Sequence, residues 1–389
     1  MKKYAGGISL LLSISAAHAQ SSIALYGVVD DALTFNSNAN GQHQYFMTSG
    51  AKTANRWGLT GTEDLGGGVK TLFAIESGFS NNNGAALQGG ALFGRQAYVG
   101  VAGNAGTLTF GRQYSSGYWY VGGPLTSGGG WAFSGSGYGA HPGDVDNLDS
   151  FNRVNNAVIY TTPRINGFTG SAMYSFGGVP GSTAQHQIWA LGAGYVNGAI
   201  TLGLGYQVAN QPNYSFYGNN PSSSGTGSNM WSPVNAGYAS AGAQKILSAG
   251  AAYTLGSATI AAIYSNTRYT DLGATAVAGL SATEAGYRGD ETFNIGELNF
   301  KYMVTPTLLL GASYAYTHSS GVNNARYQQV DLGFDYLISK RTDFYGGTIY
   351  QHAAGTNSLG MSAVAEIGPA TPSSNNHQIL AIVGMGHRF

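Results

Sequence analysis

The sequence predicts an all-β protein, a transmembrane antiparallel β-barrel of about sixteen strands. Three observations carry that expectation. About sixteen stretches alternate apolar with polar residues, most of them near the ~10 residues that a tilted strand needs to cross a bilayer. The connections between them alternate short with long, as in outer-membrane barrels. The third is the final stretch, from Gln378 to Phe389, which reads as strand to its last residue. Counted in twos, Phe389, His387, Met385, Val383, Ala381 and Ile379 share one mostly apolar face, with Arg388, Gly386 and Gly384 opposite. An open strand edge invites aggregation, whereas in a closed barrel the last strand zips onto the first. A barrel of this kind in a membrane is usually a pore or a plug.

The chain opens with the signature of a secretory signal peptide. Met1-Lys2-Lys3 is the positive start, Ile8 to Ile14 the apolar core, and Ala17-His18-Ala19 a cleavage pattern before Gln20. The expected division is a signal peptide over 1–19 and an exported barrel domain over 20–389. The apolar core is too short to span. Losing Lys2 and Lys3 takes the 17 basic residues to 15 against 17 acidic ones, which leaves no basic bias towards nucleic acid. There is no cysteine, so disulfides, thiol nucleophiles and cysteine metal sites drop out together. Charged residues are only 9%, against the roughly 25% usual in soluble domains. No run of ~20 apolar residues follows the leader, so helical spanning is excluded while strand spanning stays open.

The strands are expected to start near Ile23, Asn55, Lys70, Leu92, Gly106, Asn156, Gly167, Gln187, Ala199, Lys245, Ala258, Glu291, Leu308, Ala325, Asp343 and Gln378. Short turns separate alternate pairs, among them Glu63–Gly68, Ala102–Ala105, Val196–Gly198, Gly256-Ser257 and Ser339–Thr342. Longer Gly/Ser/Asn/Pro segments fill the other connections, at Ser80–Ala91, Ser115–Asn152, Ala209–Ala243, Thr270–Asp290 and Ala354–His377. An even count puts both termini on the short-turn, periplasmic side. Strand tyrosines such as Tyr160, Tyr253, Tyr302, Tyr336, Tyr345 and Tyr350 suit a girdle where lipid meets water, though tyrosine is also an ordinary strand former.

Four stretches carry a family likeness. They are Asn55-Arg56-Trp57-Gly58-Leu59-Thr60-Gly61-Thr62-Glu63-Asp64-Leu65-Gly66-Gly67-Gly68-Val69-Lys70, Gly94-Arg95-Gln96-Ala97-Tyr98-Val99-Gly100, Gly106 to Tyr114, and Arg153-Val154-Asn155-Asn156 leading to Tyr160-Thr161-Thr162-Pro163. With the His387-Arg388-Phe389 end, they resemble the Gram-negative general outer-membrane porins of the beta-proteobacterial type. The likeness covers essentially the whole exported chain and is weak in the long loops. It implies a sixteen-stranded barrel, a homotrimer, and a third extracellular loop folded inward to narrow a channel for small hydrophilic solutes and ions. It also implies an outer-membrane location among lipid and lipopolysaccharide, and assembly by the barrel-assembly machinery through the C-terminal strand, with Phe389 as the closure signal. One departure is Thr60, where a basic residue often follows the Gly-Leu pair, so the positive wall is expected to be thinner than usual.

A diffusion channel needs water, a size limit and a local field. The segment Ser115–Asn152, about 115–152, is the candidate constriction loop, and Trp119, Trp131 and Phe133 argue that it packs. By resemblance, Arg56, Arg95 and Arg153 match the family's arginine cluster on the wall. Arg56 shares parity with Gly58, Thr60 and Thr62, opposite Trp57 and Leu59, so it should face water; the direction of Arg95 is open, and Arg153 closes the loop. Snorkelling to the interface is the alternative for each. Facing them, Asp144, Asp146 and Asp149 supply the loop's acids. Their spacing also hints at a calcium loop, weakly, since Leu148 stands at the fifth position and Asp149 at the sixth, where glycine belongs. Lys70 and Glu76 share a parity that points into the lumen, and Arg112 near the loop root fits either the lumen or hydrogen bonds to loop carbonyls.

Neither a cofactor nor a metal is expected, and an enzyme is disfavoured. Gly311-Ala312-Ser313-Tyr314-Ala315 is the nearest approach to a nucleophile elbow, and it lies mid-strand where the strained turn cannot form. Two channel-like rivals remain. One is a substrate-specific porin, favoured by Tyr118, Trp119, Tyr120 and Trp131; the other is a plugged barrel acting as adhesin or receptor.

Overall fold

In the computed structural model, which describes residues 22–129, 137–215 and 230–389, the chain closes into a single antiparallel sheet. The expected leader, Trp131 and Phe133 lie outside the described residues. Strand β1 (Ser22–Ala39) is long enough to serve two partners along one edge. Its first part pairs with β3 (Arg56–Gly66) and its second with β2 (Gln42–Ser49). Along the other edge runs β17 (His377–Arg388). Two hydrogen bonds of 3.1 Å, exchanged between Gly27 and Phe389, finish that seam. Among the described residues the strands pair round a closed circuit, which spares the wall the unpaired amides that would be costly in lipid.

Hairpins build the rest of the wall. They run through β4 (Val69–Gly78), β5 (Gln96–Gly103), β6 (Gly106–Gln113), β7 (Val154–Thr161), β8 (Phe168–Ser175), β9 (Ile188–Asn197) and β10 (Ile200–Asn210). The circuit continues through β11 (Ala243–Leu255), β12 (Ala258–Leu272), β13 (Gly289–Thr305), β14 (Leu308–Gly321), β15 (Arg326–Leu337) and β16 (Thr342–Ala354). Because β2 and β3 are two halves of one wall strand, the barrel has sixteen strands, as the alternation predicts. Most expected starts fall within two or three residues of the observed ones. Leu92 is early because 92–95 still belongs to the preceding loop; the ladder begins where the Arg95 amide donates to the Glu76 carbonyl at 3.1 Å. The alternation gives no sign of β2, whose Gln42-His43-Gln44 start is polar on both faces and has no period.

The two faces separate cleanly. On β13, Leu298 and Phe300 are exposed while Ile295, Glu297 and Asn299 between and before them are buried. On β17, Ile379, Val383 and Met385 are exposed, with Gln378, Leu380 and Ile382 buried opposite, so the terminal strand's apolar face points outward as expected. Tyr160, Tyr253, Tyr302, Tyr336 and Tyr350 are likewise on the exposed face. Tyr345 is the exception: it is fully buried and donates to Asp30 at 2.8 Å, which removes it from any girdle. Segments 137–150, 230–242 and 363–370 share buried apolar clusters with residues of β12, β13, β15, β16 and β17. Val145, Met230, Tyr238, Phe293, Tyr327 and Ala363 belong to one of them.

Candidate functional site

Glu76 on β4 gathers the first group of charges. Its Oε1 accepts from Arg95 Nε at 2.8 Å, and its Oε2 accepts from the Tyr26 hydroxyl at 3.0 Å. Arg56 Nε on β3 lies 3.8 Å from the same Oε2. Gly58 opens the space: a Cβ there would meet the Tyr26 hydroxyl at 2.8 Å. Trp57, the next residue of β3, meets Phe93 edge to face, with ring centroids 6.2 Å apart. Thr60, standing where the family often has a cation, donates to the Phe73 carbonyl at 3.2 Å and adds no charge.

Tyr114 extends the group. Its hydroxyl accepts from Arg95 Nη2 at 2.7 Å and from Arg153 Nη2 at 3.2 Å. The Arg153 guanidinium also lies over the Tyr114 ring, 4.7 Å from its centroid, and donates to the Ser150 carbonyl. The structure therefore brings Arg56, Arg95 and Arg153 together along one wall, linked through Glu76 and Tyr114. Burial and the neighbouring Arg95 hold the Arg153 guanidinium below its ordinary value, with Tyr114 opposing; a guanidinium nonetheless stays charged in proteins. Arg112 is hydrogen-bonded to residues on either side of its strand. Its Nε donates to the Gly94 carbonyl at 2.8 Å and its Nη1 to Asn155 Oδ1 at 2.5 Å, stapling the loop roots. Lys70 is exposed near the short-turn end of β4 and makes no ion pair among the described residues.

Residues 114–129 and 137–153 meet side chains from distant strands. Asn299 Nδ2 on β13 donates to the Leu125 carbonyl at 2.7 Å, and Glu297 Oε1 accepts the Ser127 amide at 2.8 Å. Gln329 on β15 donates to the Tyr138 carbonyl at 3.0 Å, and Gln244 on β11 to that of Val145 at 2.8 Å. A helical turn, Tyr118–Gly122, starts the segment, and Tyr120 from it lies on a pavement of glycines. A Cβ on Gly192 or Gly194 of β9 would enter the Tyr120 ring, and one on Gly203 of β10 would collide with the Tyr120 carbonyl. The spacing of Gly192-x-Gly194 facing Gly203-x-Gly205 is the signal in the sequence that marks this pavement, and it is absent from the expectations above.

Asp144 is hydrogen-bonded within the loop, whereas Asp146 also reaches a distant strand. Asp146 accepts from Ser265 at 2.5 Å and lies 2.7 Å from His141 Nδ1. The other ring nitrogen of His141 is 3.0 Å from Glu297 Oε2, so the imidazole bridges two carboxylates. Burial alone would lower His141, but Asp146 and Glu297 outweigh it and raise it well above its ordinary value. Burial would likewise raise Asp146, yet His141 and the hydrogen bonds from His141 and Ser265 hold it low. Asp144 accepts the amides of Asp149 at 3.0 Å and Phe151 at 2.8 Å, and burial with the nearby Asp146 pushes its carboxyl up to about 7. Asp149 is raised well above the carboxylate range by burial and by Asp144. Among the described residues, none of the three pairs with Arg56, Arg95 or Arg153. No group of three or more His, Asp or Glu side chains among them is arranged to hold a metal ion.

A second charged cluster has no counterpart in the sequence-based expectations. Lys52, in the bend between β2 and β3, is buried against Asp335 and Asp343, with Asp343 Oδ2 at 3.3 Å. Arg388 also reaches that oxygen, at 3.0 Å. A separation of 283 residues lies between Lys52 and Asp335, and nothing in the local pattern announces the pairing.

Residues 8–356 match the family model described as Gram-negative porin. An outer membrane porin protein of Bordetella pertussis is 35% identical over 242 residues, which cover 55% of this chain and 61% of that protein. Outer membrane porin protein 32 of Delftia acidovorans is 27% identical over the full length of both chains. Among solved structures, the anion-selective porin from Comamonas acidovorans superposes with a TM-score of 0.69 at 23% identity, over 95% of this chain and all of that one. An outer membrane protein of Vibrio cholerae, solved in a trimer form, gives a TM-score of 0.61 at 16% identity, over 95% of this chain and 99% of that one.

Proposed function

This chain belongs to the Gram-negative porin family and sits in the outer membrane as a β-barrel, and on that premise we propose that it is a water-filled diffusion channel for small hydrophilic solutes, with a preference for anions. The arginine group carries the reading. Arg95 and Arg56 share one carboxylate, Glu76, and Arg153 is held only by the neutral Tyr114 hydroxyl and Ser150 carbonyl, which leaves two positive charges uncompensated along one wall. The opposing field that the loop acids would supply is weak: Asp146 is matched by His141, while Asp144 and Asp149 are raised towards their neutral forms. A narrow, low-dielectric passage focuses such a field.

The size limit in this reading comes from the 114–153 segment, folded into the lumen. Its support is that the segment hydrogen-bonds Glu297, Asn299, Gln329 and Gln244, all on faces opposite the lipid-facing residues. A homotrimer in lipid and lipopolysaccharide, assembled through the strand ending at Phe389, completes the proposal; the trimer form of the Vibrio protein supports it by analogy. The test is the zero-current potential of the purified protein in a planar bilayer under a potassium chloride gradient. A potential of the sign that chloride sets is expected. The opposite sign would reverse the assignment of the field, and silence from folded barrels would favour a plugged adhesin or receptor.

A further inference from the structure

Beside the arginines stands an aromatic group that the ion field does not need. Tyr118 stacks on Tyr114, with centroids 4.4 Å apart and planes within 16°. Trp119 meets both rings edge to face, at 5.5 Å and 5.6 Å. The same helical turn presses Tyr120 onto the glycine pavement of β9 and β10 and buries Val121 completely, which leaves Trp119 on the turn's other side. About half of Trp119 (52%) stays exposed. A lone exposed apolar side chain is ordinary on a soluble surface. This one has a charged neighbourhood: Tyr118 stacks on Tyr114, whose hydroxyl accepts from Arg95 and Arg153, and Arg95 shares Glu76 with Arg56.

The three cations differ in what they have left to give. Arg95 and Arg153 are buried and hydrogen-bonded to Glu76, Tyr114 and Ser150. Arg56 keeps 28% of its side chain exposed, and among the described residues its guanidinium has only the 3.8 Å approach to a Glu76 oxygen that Tyr26 already engages. A guanidinium with free N–H groups takes a carboxylate in paired hydrogen bonds. An indole face takes a flat ring by offset stacking.

We propose that Arg56 with Trp119 and Tyr118 forms a subsite for aromatic carboxylates, the carboxylate on Arg56 and the ring against the indole. The proposal rests on the channel reading and narrows its solute class. A small aromatic acid would pause there on its way through, so that its flux saturates and it obstructs chloride while bound.

The experiment measures the chloride current of the full-length protein in planar bilayers while benzoate or cyclohexanecarboxylate is added. The two acids match in charge and nearly in size, and only benzoate has a π face. Benzoate is expected to reach half-block at a concentration about three- to tenfold lower, the range an aromatic pair is worth. Trp119→Leu should bring that ratio to one, and Trp119→Phe should retain most of it. Arg56→Gln should weaken both acids by about tenfold or more, as a lost charge-assisted hydrogen bond does, and leave their ratio unchanged. Equal half-block by the two acids in the unaltered protein overturns the subsite, as does a benzoate preference that survives Trp119→Leu. A barrel that conducts chloride and fails these tests loses the subsite alone; one that passes no current loses the channel reading with it.

Discussion

Glu76 Oε1 accepts a hydrogen bond from Arg95 Nε at 2.8 Å, and both side chains are buried. A buried pair of this kind is expensive to break from one side, because the remaining charge is left without a partner. The pairing also separates the roles of the arginines. Arg95 is held in place, and Arg56, only loosely attached to the same carboxylate, is left facing water.

Glu76→Gln should therefore act on both stability and selectivity. Leaving Arg95 unpaired costs about 3–5 kcal/mol, read as a lower temperature of barrel unfolding on a heat-shift gel. In the same variant the wall gains a full positive charge, so the zero-current potential should move further towards the chloride limit. Unchanged selectivity would show that ions do not pass near Glu76.

Arg56 and Arg153 should separate cleanly. Arg56→Gln removes an exposed charge and is expected to reduce anion preference, more at 0.01 M than at 1 M salt because screening lengthens from about 3 Å to about 30 Å on dilution. Arg153→Gln empties a buried position on the Tyr114 ring at the loop's root. It should chiefly lower the unfolding temperature and raise current noise. Equal effects of the two on the potential would contradict the division.

The loop acids predict a pH dependence. The Asp144 carboxyl, raised by burial and Asp146 to about 7, stands beside Asp149, which burial and Asp144 hold well above the ordinary carboxylate range, while Asp146 and Glu297 keep His141 raised and His141 keeps Asp146 low. Anion preference should fall as pH rises from about 6 to 8, because a negative charge appears on the loop. Stability has the matching sign. Between the ordinary carboxyl value near 4 and about 7, the native state holds a proton that the unfolded chain has lost, so stability declines as pH rises through that window and levels off above it. Replacing both acids, Asp144→Asn with Asp149→Asn, should flatten the potential–pH curve.

His141→Gln should loosen the loop. Asp146 and Glu297 would face each other across a neutral amide, which costs roughly 3–5 kcal/mol for a broken buried pair. Single-channel records should show added flicker between conductance levels. A quiet trace at ordinary conductance would mean that Asn299 and Gln329 suffice to hold the segment.

The glycine pavement gives a steric test. Gly192→Val puts carbon where the Tyr120 ring lies, so the helical turn must move away from the wall. Single-channel conductance is expected to fall, and Tyr120→Ala in the same chain should restore part of it by returning the space.

Barrel, strand number and the outward face of the terminal strand were all legible in the chain, because a strand with lipid on one side and water on the other must alternate every second residue. The rule says nothing of a residue's partners. Tyr345 is opposite in parity to the exposed Phe344 and Tyr350, but its partner Asp30, 315 residues away, could not be read from the pattern, and β2 was invisible because its polar start has no period. Asp144, Asp146 and Asp149 could be found in the sequence as the acids of a long loop. That Asp144 answers to the loop's own amides, and Asp146 to His141 and to Ser265, 119 residues away, lies beyond any reading of alternation. Local alternation fixes which side of a wall a residue faces. The charge it carries into the lumen depends on burial and on neighbours that only closure of the barrel brings within reach.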